Sequence, residues 1–394
     1  MHILFLTTQL PYPPKSGGLI KSWNLLRHWC AHHQVSLIHP LKNDEHLHVE
    51  ELKGKLDLEH HFAVPVDRPR TALNLLKSYL GHASLNVYRN YDARIKAEVR
   101  GIAPKTDLIF IDHYEMGQYI PESYTGKVVL HEHNAEFIMW QRLAELQSNP
   151  LKRAILERES ARILKAEKRY ASRADQVWCA PNDAQELTKQ GVSLHKIRFT
   201  YHLGEDEMLE AAAIDIDETE LSLLYVGTLS WEANVDGLLW FLQDCWSSLK
   251  VKHPELRLDI VGKSPDKRLL QAAEVHADIH FHGFIDDVVS LYQKSRVFIV
   301  PLRFGSGIKV KVLNALYRGI PLVTTDIGTE GLDTVSGQHL FEASEAEDFI
   351  EHTSQLLTDH NLWERMRDNA RSLASRYTWA QLLNEHDGHL EELT

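Results

Sequence analysis

The fold is decided by the stretch VFIVPLRFGSGIKVKVLNALYRGIPLVTT, residues 297–325. It opens with an apolar run that stops at Pro301, passes through a Gly-Ser-Gly turn into a helical pattern, and closes on a second apolar run, PLVTT. Two apolar runs joined by a helix are typical of parallel strands in a sheet that is covered on both faces. The turn offers backbone N–H groups at the start of the helix, which predicts an anion site there.

The same alternation of apolar runs and helical patterns extends along almost the whole chain. It restarts after a loose acidic segment, GEDEMLEAAAIDIDETE, at residues 204–220. The restart predicts an α/β fold with two doubly wound, Rossmann-like domains that face a central cleft. We place the first domain at residues 1–203, the second at 204–374, and a last helix, at 375–394, against the first domain. Ligands of such sheets bind beyond the carboxyl ends of the strands, so residues that follow a strand are the candidates for function.

Composition and charge exclude several classes of protein. The chain has 394 residues and a net charge of −12, which disfavours binding to nucleic acid. Its three cysteines are far apart, so neither a zinc framework nor a disulfide scaffold is predicted. No run approaches the roughly 20 apolar residues that span a bilayer, and the N-terminal apolar run is too short for a signal peptide. We therefore expect a cytoplasmic protein.

One segment is strongly basic. Residues 150–173, PLKRAILERESARILKAEKRYASR, contain eight basic and three acidic residues, with apolar residues at helical spacing between them. One interpretation is a solvated helix whose cations pair with Glu157, Glu159 and Glu167. The other is a surface helix that rests on anionic lipid head groups at the inner face of the cell membrane. The sequence leaves both interpretations open.

Two segments at strand ends carry polar groups in the first domain. Gly17 and Gly18 lie where a helix begins, so backbone N–H groups are available to an anion or to sugar hydroxyls. The run VVLHEHNAEF follows another strand with a cluster of polar side chains: His131, Glu132, His133, Asn134 and Glu136. Such a cluster can hydrogen-bond a sugar or stabilise the charge that develops on a leaving group. The H-x-H spacing has no evident third ligand, so no metal site is predicted.

The second domain repeats this arrangement at its own strand ends. Gly227 ends the first strand, and Asn234 is a candidate N-cap for a helix that begins near Val235. Gly262 and Gly283 end two further strands, and both fit a flat nucleobase that lies against the backbone.

The Gly-Ser-Gly turn is followed by two lysines. Lys309 and Lys311 lie in the first turns of the helix, where cations are normally disfavoured by the helix dipole. One interpretation is that both reach into solvent. The other is a bound anion, such as a pyrophosphate, that outweighs the dipole. The loop before them contributes further donors from Arg303, Gly305, Ser306 and Gly307.

Taken in order, these segments resemble retaining GT-B glycosyltransferases of the family 4 type, also called glycosyl transferases group 1. VGTLSWEANVDGLLWF, LDIVGKSP, HFHGFIDDV, PLRFGSGIKVKVLNAL and GIPLVTTDIGTEGL occur in the order and spacing of that family. The QLPYPPKSGG loop and HEHNAEF resemble segments of its acceptor-binding domain. The resemblance implies transfer of a sugar from a nucleotide diphosphate sugar to an acceptor hydroxyl, with retention of configuration and without a metal or cofactor.

The resemblance also implies partners and residue roles. The partners are a UDP or GDP sugar and a saccharide or lipid-linked saccharide acceptor, in the synthesis of bacterial polysaccharide, lipopolysaccharide or glycolipid. The implied catalytic residues are His133, Lys311 and Arg303. The implied acceptor-binding residues are His131, Asn134 and Glu136. The implied donor-binding residues are Gly17, Gly18, Gly227, Thr228, Asn234, Gly262, Phe284, Ser306, Gly307, Lys309, Asn314 and Glu330.

The sequence departs from the family's pattern at positions that usually carry charge. Two positions that are often basic are Thr228 and Asn234, which leaves the loop arginine and the two lysines to neutralise a pyrophosphate. The family's E-x7-E pair falls on Ser306 and Asn314. An asparagine can accept a hydrogen bond from a ribose hydroxyl but supplies no charge. Two alternatives therefore stay open: a degenerate subunit that binds sugar or acts as a scaffold, and a nucleotide-sugar epimerase of the same fold.

Overall fold

The computed structural model describes residues 1–14, 17–145, 147–285, 288–305 and 307–394. The chain divides into two compact units, one formed by Met1–His202 with Leu382–Thr394 and the other by Leu203–Gln381. Each unit is built on one sheet of parallel strands. The predicted α/β fold with two doubly wound sheets is confirmed.

The sheet of the first unit has, within the described residues, seven strands in the order β3-β2-β1-β4-β5-β6-β7. Alternate residues of its first strand enter different core clusters: Leu4 and Leu6 lie in one, and Ile3 and Phe5 in the other. Burial on both faces explains why this strand is apolar throughout. The strands are β1 (His2–Thr7), β2 (Gln34–Leu41), β3 (His60–Pro65), β4 (Leu108–Asp112), β5 (Lys127–His131), β6 (Gln176–Cys179) and β7 (Ile197–Phe199).

Helices connect these strands. They are α1 (Gly17–His32), α2 (Val49–Lys55), α3 (Ala72–Ser78), α4 (Leu85–Arg89), α5 (Ala93–Ile102), α6 (Glu136–Glu145), α7 (Pro150–Arg173) and α8 (Pro181–Lys189). A 3-10 turn at Tyr114–Tyr119 follows β4.

The described part of the second unit has strands in the order β10-β9-β8-β11-β12-β13. The strands are β8 (Glu220–Val226), β9 (Arg257–Val261), β10 (Ile279–Gly283), β11 (Ser295–Val300), β12 (Leu322–Thr324) and β13 (Phe341–Glu342). The helices are α9 (Glu232–Trp240), α10 (Ser247–Lys252), α11 (Lys267–Ala273), α12 (Val289–Lys294), α13 (Val310–Arg318), α14 (Asp326–Thr329), α15 (Ala346–Thr358), α16 (His360–Ala374) and α17 (Trp379–Glu391). A π-helical turn, Phe241–Trp246, joins α9 to α10.

Both sheets reverse their strand order at a central strand. In the first sheet β1 lies between β2 and β4, so that Thr7 pairs with Asp112 at the carboxyl edge. In the second sheet β8 lies between β9 and β11. Loops diverge where the order reverses, and a doubly wound sheet binds its ligands there.

The basic segment forms α7, as its helical spacing predicted. Arg153 and Glu157 form a surface ion pair at 2.8 Å. Glu159 and Glu167 are buried instead, and they accept hydrogen bonds from the backbone N–H groups of Leu85 and Glu136, which compensate for the lost contact with water. Glu159 pairs with Arg162 of the same helix, as the first interpretation predicted, but neither glutamate is solvated. Contact of α7 with lipid stays a prediction. In the described part of the chain, no helix has the length and apolarity to cross a membrane.

From Leu382 onward, α17 belongs to the first unit. Its His386 is fully buried and stacks on Trp178, with ring centroids 4.4 Å apart. Neither ring nitrogen of His386 has a hydrogen-bond partner among the described residues. Burial lowers the pKa of His386 well below its usual range, so the ring is neutral in the folded chain.

We expect His386→Phe to raise the free energy of unfolding by about 1 kcal/mol, because it removes unpaired polar atoms from the core. Below a pH of about 6.5 the unfolded chain binds a proton at His386 that the folded chain does not, so wild-type stability falls as pH falls. The variant should lose less stability between pH 7 and 5. Thermal denaturation across this range measures both effects. His46→Phe, at an exposed histidine, is the control, and a lower melting temperature for His386→Phe would contradict the expectation.

Candidate functional site

Asp112 ends β4 and lies at the centre of a polar network in the first unit. One oxygen of its buried carboxylate accepts hydrogen bonds from Thr7 Oγ1 (2.9 Å) and Ser22 Oγ (2.6 Å). The other accepts from His131 Nδ1 (2.8 Å) and His133 Nε2 (2.7 Å). Burial alone would raise the pKa of Asp112, but the two imidazoles hold it well below its usual range. Asp112 is therefore ionised, with both oxygens occupied.

The hydrogen bond to Asp112 fixes the tautomer of His133. Because a carboxylate only accepts, Nε2 carries the proton and Nδ1 remains an acceptor. Burial, opposed by Asp112, lowers the pKa of His133 to about 4, so the ring is neutral at neutral pH. Nδ1 has no partner in the described chain, and a Cβ on Gly18 would lie 3.4 Å from it. An acceptor nitrogen thus lies beside the first turn of α1.

Two further histidines pack on His133. The ring of His113 stacks on it with centroids 3.7 Å apart, and His202 Nε2 donates to its carbonyl oxygen at 3.0 Å. His113 has a φ of 88°, which L residues rarely adopt. The backbone is therefore strained at the residue that carries this ring. Burial lowers the pKa of His113 to about 3. These contacts hold the His133 ring in one orientation.

Asp112, His113 and His133 offer three ligand atoms within 4.8 Å of one another, the spacing of a metal site. The oxygens of Asp112 already accept four hydrogen bonds, and the His133 Nε2 proton forms one of them. A cation would have to displace this network. The donor set therefore fits a hydrogen-bonded cluster better than a metal centre.

Buried carboxyl groups lie close to these histidines. Burial raises the pKa of Glu115 to about 7, and it raises those of Glu132 and Glu167 well above their usual range. Repulsion among these groups and Glu136 adds to the effect. Protonated carboxyl groups donate as well as accept hydrogen bonds, so these buried groups can bond their neighbours in both ways. Asn134, which is also predicted to contact an acceptor, follows His133 in the sequence and is half-buried.

In the second unit, Lys311 lies over the end of β8. Its Nζ donates to Tyr225 Oη at 2.9 Å and to Asn234 Oδ1 at 2.8 Å. A Cβ on Gly227 would lie 2.8 Å from the same nitrogen, so a glycine is needed for the ammonium to approach the backbone. Burial, aided by repulsion from Lys309, lowers the pKa of Lys311 to about 7.

Asn234 is not the N-cap that the sequence predicted. The helix α9 begins at Glu232 with Trp231 as its N-cap residue, so Asn234 lies in the first turn. Its Nδ2 donates to the carbonyl oxygen of Thr228 at 2.8 Å, while its Oδ1 accepts from Lys311. The amide therefore orients the lysine instead of capping the helix.

Lys309 is the N-cap residue of α13 and contacts the loop before it. Its Nζ donates to the carbonyl oxygen of Gly307 at 2.5 Å and lies 3.3 Å from a carboxylate oxygen of Glu330. The ion pair joins the start of α13 to the segment that follows β12. Ser306, predicted to bind the donor, lies outside the described residues.

Arg303 is also paired with an acid. It donates two hydrogen bonds to Asp236, at 2.9 and 2.5 Å. Among the three cations that the sequence assigned to a pyrophosphate, Lys311 is thus the one with no acidic partner in the described chain.

Two other predicted donor-binding residues lie near the end of β8. A Cβ on Gly262 would overlap the carbonyl oxygen of Gly227, so these two strand ends approach each other closely. The ring of Phe284 is 58% exposed, and Lys263 Nζ lies 3.7 Å from its centroid. An exposed ring beside a cation can accept a flat or anionic group.

The amide of Asn314, found where a carboxylate was expected, is used within the second unit. Its Oδ1 accepts a hydrogen bond from the backbone N–H of Glu205 at 3.0 Å. A Cβ on Gly204 would overlap the same oxygen. Asn314 therefore holds the segment with which the second unit begins, and a longer side chain would move its oxygen out of this contact.

We expect Gly204→Ala to lower the free energy of unfolding by about 1–3 kcal/mol, because the added methyl group would overlap Asn314. Asn314→Ala alone should cost about 1 kcal/mol for the lost hydrogen bond. In the double variant the overlap is gone, so the combined cost should be smaller than the sum. Denaturant unfolding measures this coupling. Gly54→Ala, where a Cβ meets no atom within 4 Å, is the control. Strict additivity would show that the two residues do not interact.

The sequence identified part of each cluster. It found His131 and His133 but missed their common acceptor, Asp112, although that residue follows a strand as they do. It also missed the residues whose roles depend on burial: Lys21, His113, Glu115, Glu167, His202 and Tyr225. Lys21 lies buried in α1, and burial, opposed by Asp112, lowers its pKa to about 7.

Comparisons with known proteins agree with this architecture. Residues 220–359 match the model of the family described as glycosyl transferases group 1. An uncharacterised 44.6 kDa protein in the cps region of Klebsiella pneumoniae is 22% identical over 363 residues, which cover 89% of each chain.

Two solved structures resemble the whole chain. Anabaena Alr3699/HepE, in complex with UDP and glucose, has a TM-score of 0.70 and 15% identity over 100% of both chains. Sucrose-phosphate synthase from Thermosynechococcus elongatus has a TM-score of 0.69 and 14% identity, over 100% of this chain and 99% of that one. The fold is therefore GT-B.

Proposed function

We propose that this chain is a retaining glycosyltransferase of the group 1 family, which transfers a sugar from a UDP-sugar to a saccharide hydroxyl. The observation that carries the proposal is the half-buried amino group of Lys311, held over Gly227 where the second sheet reverses its strand order. The match at residues 220–359 includes this position, and a structure of the same fold contains UDP and glucose. The relative from a cps region supports polysaccharide synthesis as the setting.

In this proposal Lys311 binds the pyrophosphate of the donor. Negative charge grows on the leaving UDP as the glycosidic bond breaks, and a positioned cation lowers that barrier. The backbone N–H group of Gly307 would add a donor, and the predicted role of Ser306 stays a prediction. Arg303 would have to leave Asp236 before it could bind phosphate. We therefore assign it a smaller contribution to charge stabilisation than Lys311.

The remaining donor contacts fall to the ends of β8, β9 and β10. Thr228, Gly262 and Phe284 would enclose the base. Because Asn314 is occupied by the backbone of Glu205, we assign the ribose hydroxyls to Glu330, whose carboxylate also approaches Lys309.

In the first unit, His133 would contact the transferred sugar. Its bare Nδ1 can accept a hydrogen bond from a sugar hydroxyl, while the N–H groups of Gly17 and Gly18 face oxygens of the donor or acceptor. We assign acceptor contacts to Asn134 and Glu136. His131 has no exposed surface and bonds Asp112, so we propose that it is a positioning residue that holds the network under His133.

The test of the function is stabilisation and turnover of a nucleotide sugar. Purified protein should melt at a higher temperature with UDP, and it should slowly release UDP from one UDP-sugar when no acceptor is present. The expected shift is a few degrees at saturating UDP, because a ligand that binds only the folded state stabilises it. No shift with UDP, GDP, ADP or dTDP would overturn the enzymatic proposal in favour of a scaffold subunit. Inversion of the sugar without transfer would identify an epimerase.

Lys311 provides a sharper prediction, because its pKa of about 7 must rise when an anion binds. At pH 8 the free lysine is largely neutral, so UDP binding should take up nearly one proton, and affinity should fall as pH rises above 7. Lys311→Met should take up none and bind UDP about 10- to 100-fold more weakly.

Calorimetry in two buffers with different ionisation enthalpies measures this proton uptake. Lys294→Met removes an exposed lysine from the same unit and serves as the control. Wild-type affinity and proton uptake in Lys311→Met would show that the pyrophosphate binds elsewhere.

A further inference from the structure

A cavity of about 1200 Å³ lies within the first unit, apart from the network around Asp112. It is lined by Thr106, Asp107 and Lys127, which lie at the amino ends of β4 and β5. Asp112 and His131 lie at the carboxyl ends of the same strands, about 13 Å away at 3.3 Å per residue. The cavity exceeds the roughly 300–1,000 Å³ that hold a drug-sized ligand, so it has room for several sugar residues.

Tyrosine rings form much of the cavity wall, and their positions are fixed. A Cβ on Gly117 would overlap the ring of Tyr170, and one on Gly126 would overlap Tyr124, so both rings lie directly on the backbone. A third ring, Tyr119, donates from its hydroxyl to the carbonyl oxygen of Asn90 at 2.6 Å. Tyr119 and Tyr170 are almost fully buried, so these two rings fix the shape of the wall and leave little surface for a ligand.

Tyr91 stacks on Tyr119 with parallel rings whose centroids are 6.3 Å apart. Both belong to the lining of the cavity. Tyr91 and Tyr124 are half-buried, so the ring surface open to a ligand comes from these two, and it can take the apolar face of a sugar.

The cavity is positively charged although the protein carries a net charge of −12. Five cationic side chains line it against two acidic ones, Asp107 and Glu122: Lys96, Arg100, Lys127, Arg169 and Arg173. Lys127 lies 3.9 Å from Asp175, and Arg173 donates to the carbonyl oxygens of Ile120 and Pro121.

The other three cations, Lys96, Arg100 and Arg169, have no hydrogen bond or ion pair with any described residue. Lys96 and Arg100 are four residues apart on α5 and therefore share one face of the helix. Arg169 enters from α7. Such cations are available to carboxylate or phosphate groups of a ligand.

We propose that this cavity is a second carbohydrate site, which binds an acidic oligosaccharide apart from the site of transfer. Tyr91 and Tyr124 would take the sugar faces, and Lys96, Arg100 and Arg169 would take the acidic substituents. The saccharide class rests on the proposed function, whereas the requirement for negative charge rests on the lining alone. Bound here, a segment of the growing polymer would stay attached between transfers.

The test compares three probes by calorimetry: a uronate-containing tetrasaccharide, the neutral maltotetraose, and inorganic phosphate. We expect the acidic tetrasaccharide to bind, with an affinity that falls as salt is added, and the other two to bind at least about tenfold more weakly. Equal binding of phosphate would overturn the proposal in favour of a simple anion site. Equal binding of the neutral sugar would overturn the role of charge.

Matched variants locate the binding. Arg100→Ala/Arg169→Ala should weaken the acidic tetrasaccharide about 10- to 100-fold. Lys165→Ala/Lys168→Ala removes the same charge from exposed positions of α7 outside the cavity and should bind like wild type. An equal loss in both variants would show non-specific attraction and overturn the proposal. The melting shift with UDP should persist in both, so failure of this site and failure of the proposed function are distinguishable.

Discussion

The half-buried amino group of Lys311 is the constraint around which the end of β8 is arranged. A charge removed from water needs hydrogen-bond partners, and Tyr225 and Asn234 supply two. It also needs room near the backbone, which Gly227 provides because it lacks a side chain. The described chain offers this ammonium no carboxylate, so its charge is balanced only when an anion arrives. The pKa of Lys311 is low because no opposite charge lies beside it, and a ligand phosphate would raise that pKa.

The first unit buries the opposite charge at the corresponding point of its own sheet. The carboxylate of Asp112 is satisfied internally by donors from β1, α1 and β5 and from the loop after β5. One network thus ties four segments together and also sets the tautomer of His133. Because the proton of His133 is used on Asp112, the ring presents an acceptor on its other side. Structure and chemistry depend here on the same hydrogen bond.

The sequence predicted those features that depend on residues close to one another in the chain. The central strands were recognisable because burial on both faces makes them largely apolar. Lys311 was recognisable because a cation at a helix N-terminus is unusual. The roles of two amides were not predictable, since each depends on a distant partner. Asn234 bonds a lysine 77 positions away, and Asn314 bonds the backbone of Glu205, 109 positions away. Asp112 was missed because a carboxylate at the end of an apolar run shows no sign of the four donors that fold onto it.

In a chain with a net charge of −12, a cation without an acidic partner marks a place where an anionic ligand can bind. Many cations here meet an acid or a carbonyl oxygen: Arg153 meets Glu157, and Arg303 meets Asp236. Among the cations without such a partner in the described chain, Lys311 lies at the end of β8, and Lys96, Arg100 and Arg169 lie around one cavity. The cavity and the network around Asp112 lie at opposite ends of β4 and β5, which are rigid parallel strands buried in the core. Occupation of the cavity would therefore leave the geometry of His133 unchanged. Its effect would fall on how long an acceptor stays near the enzyme, and hence on product length, without altering the rate of a single transfer.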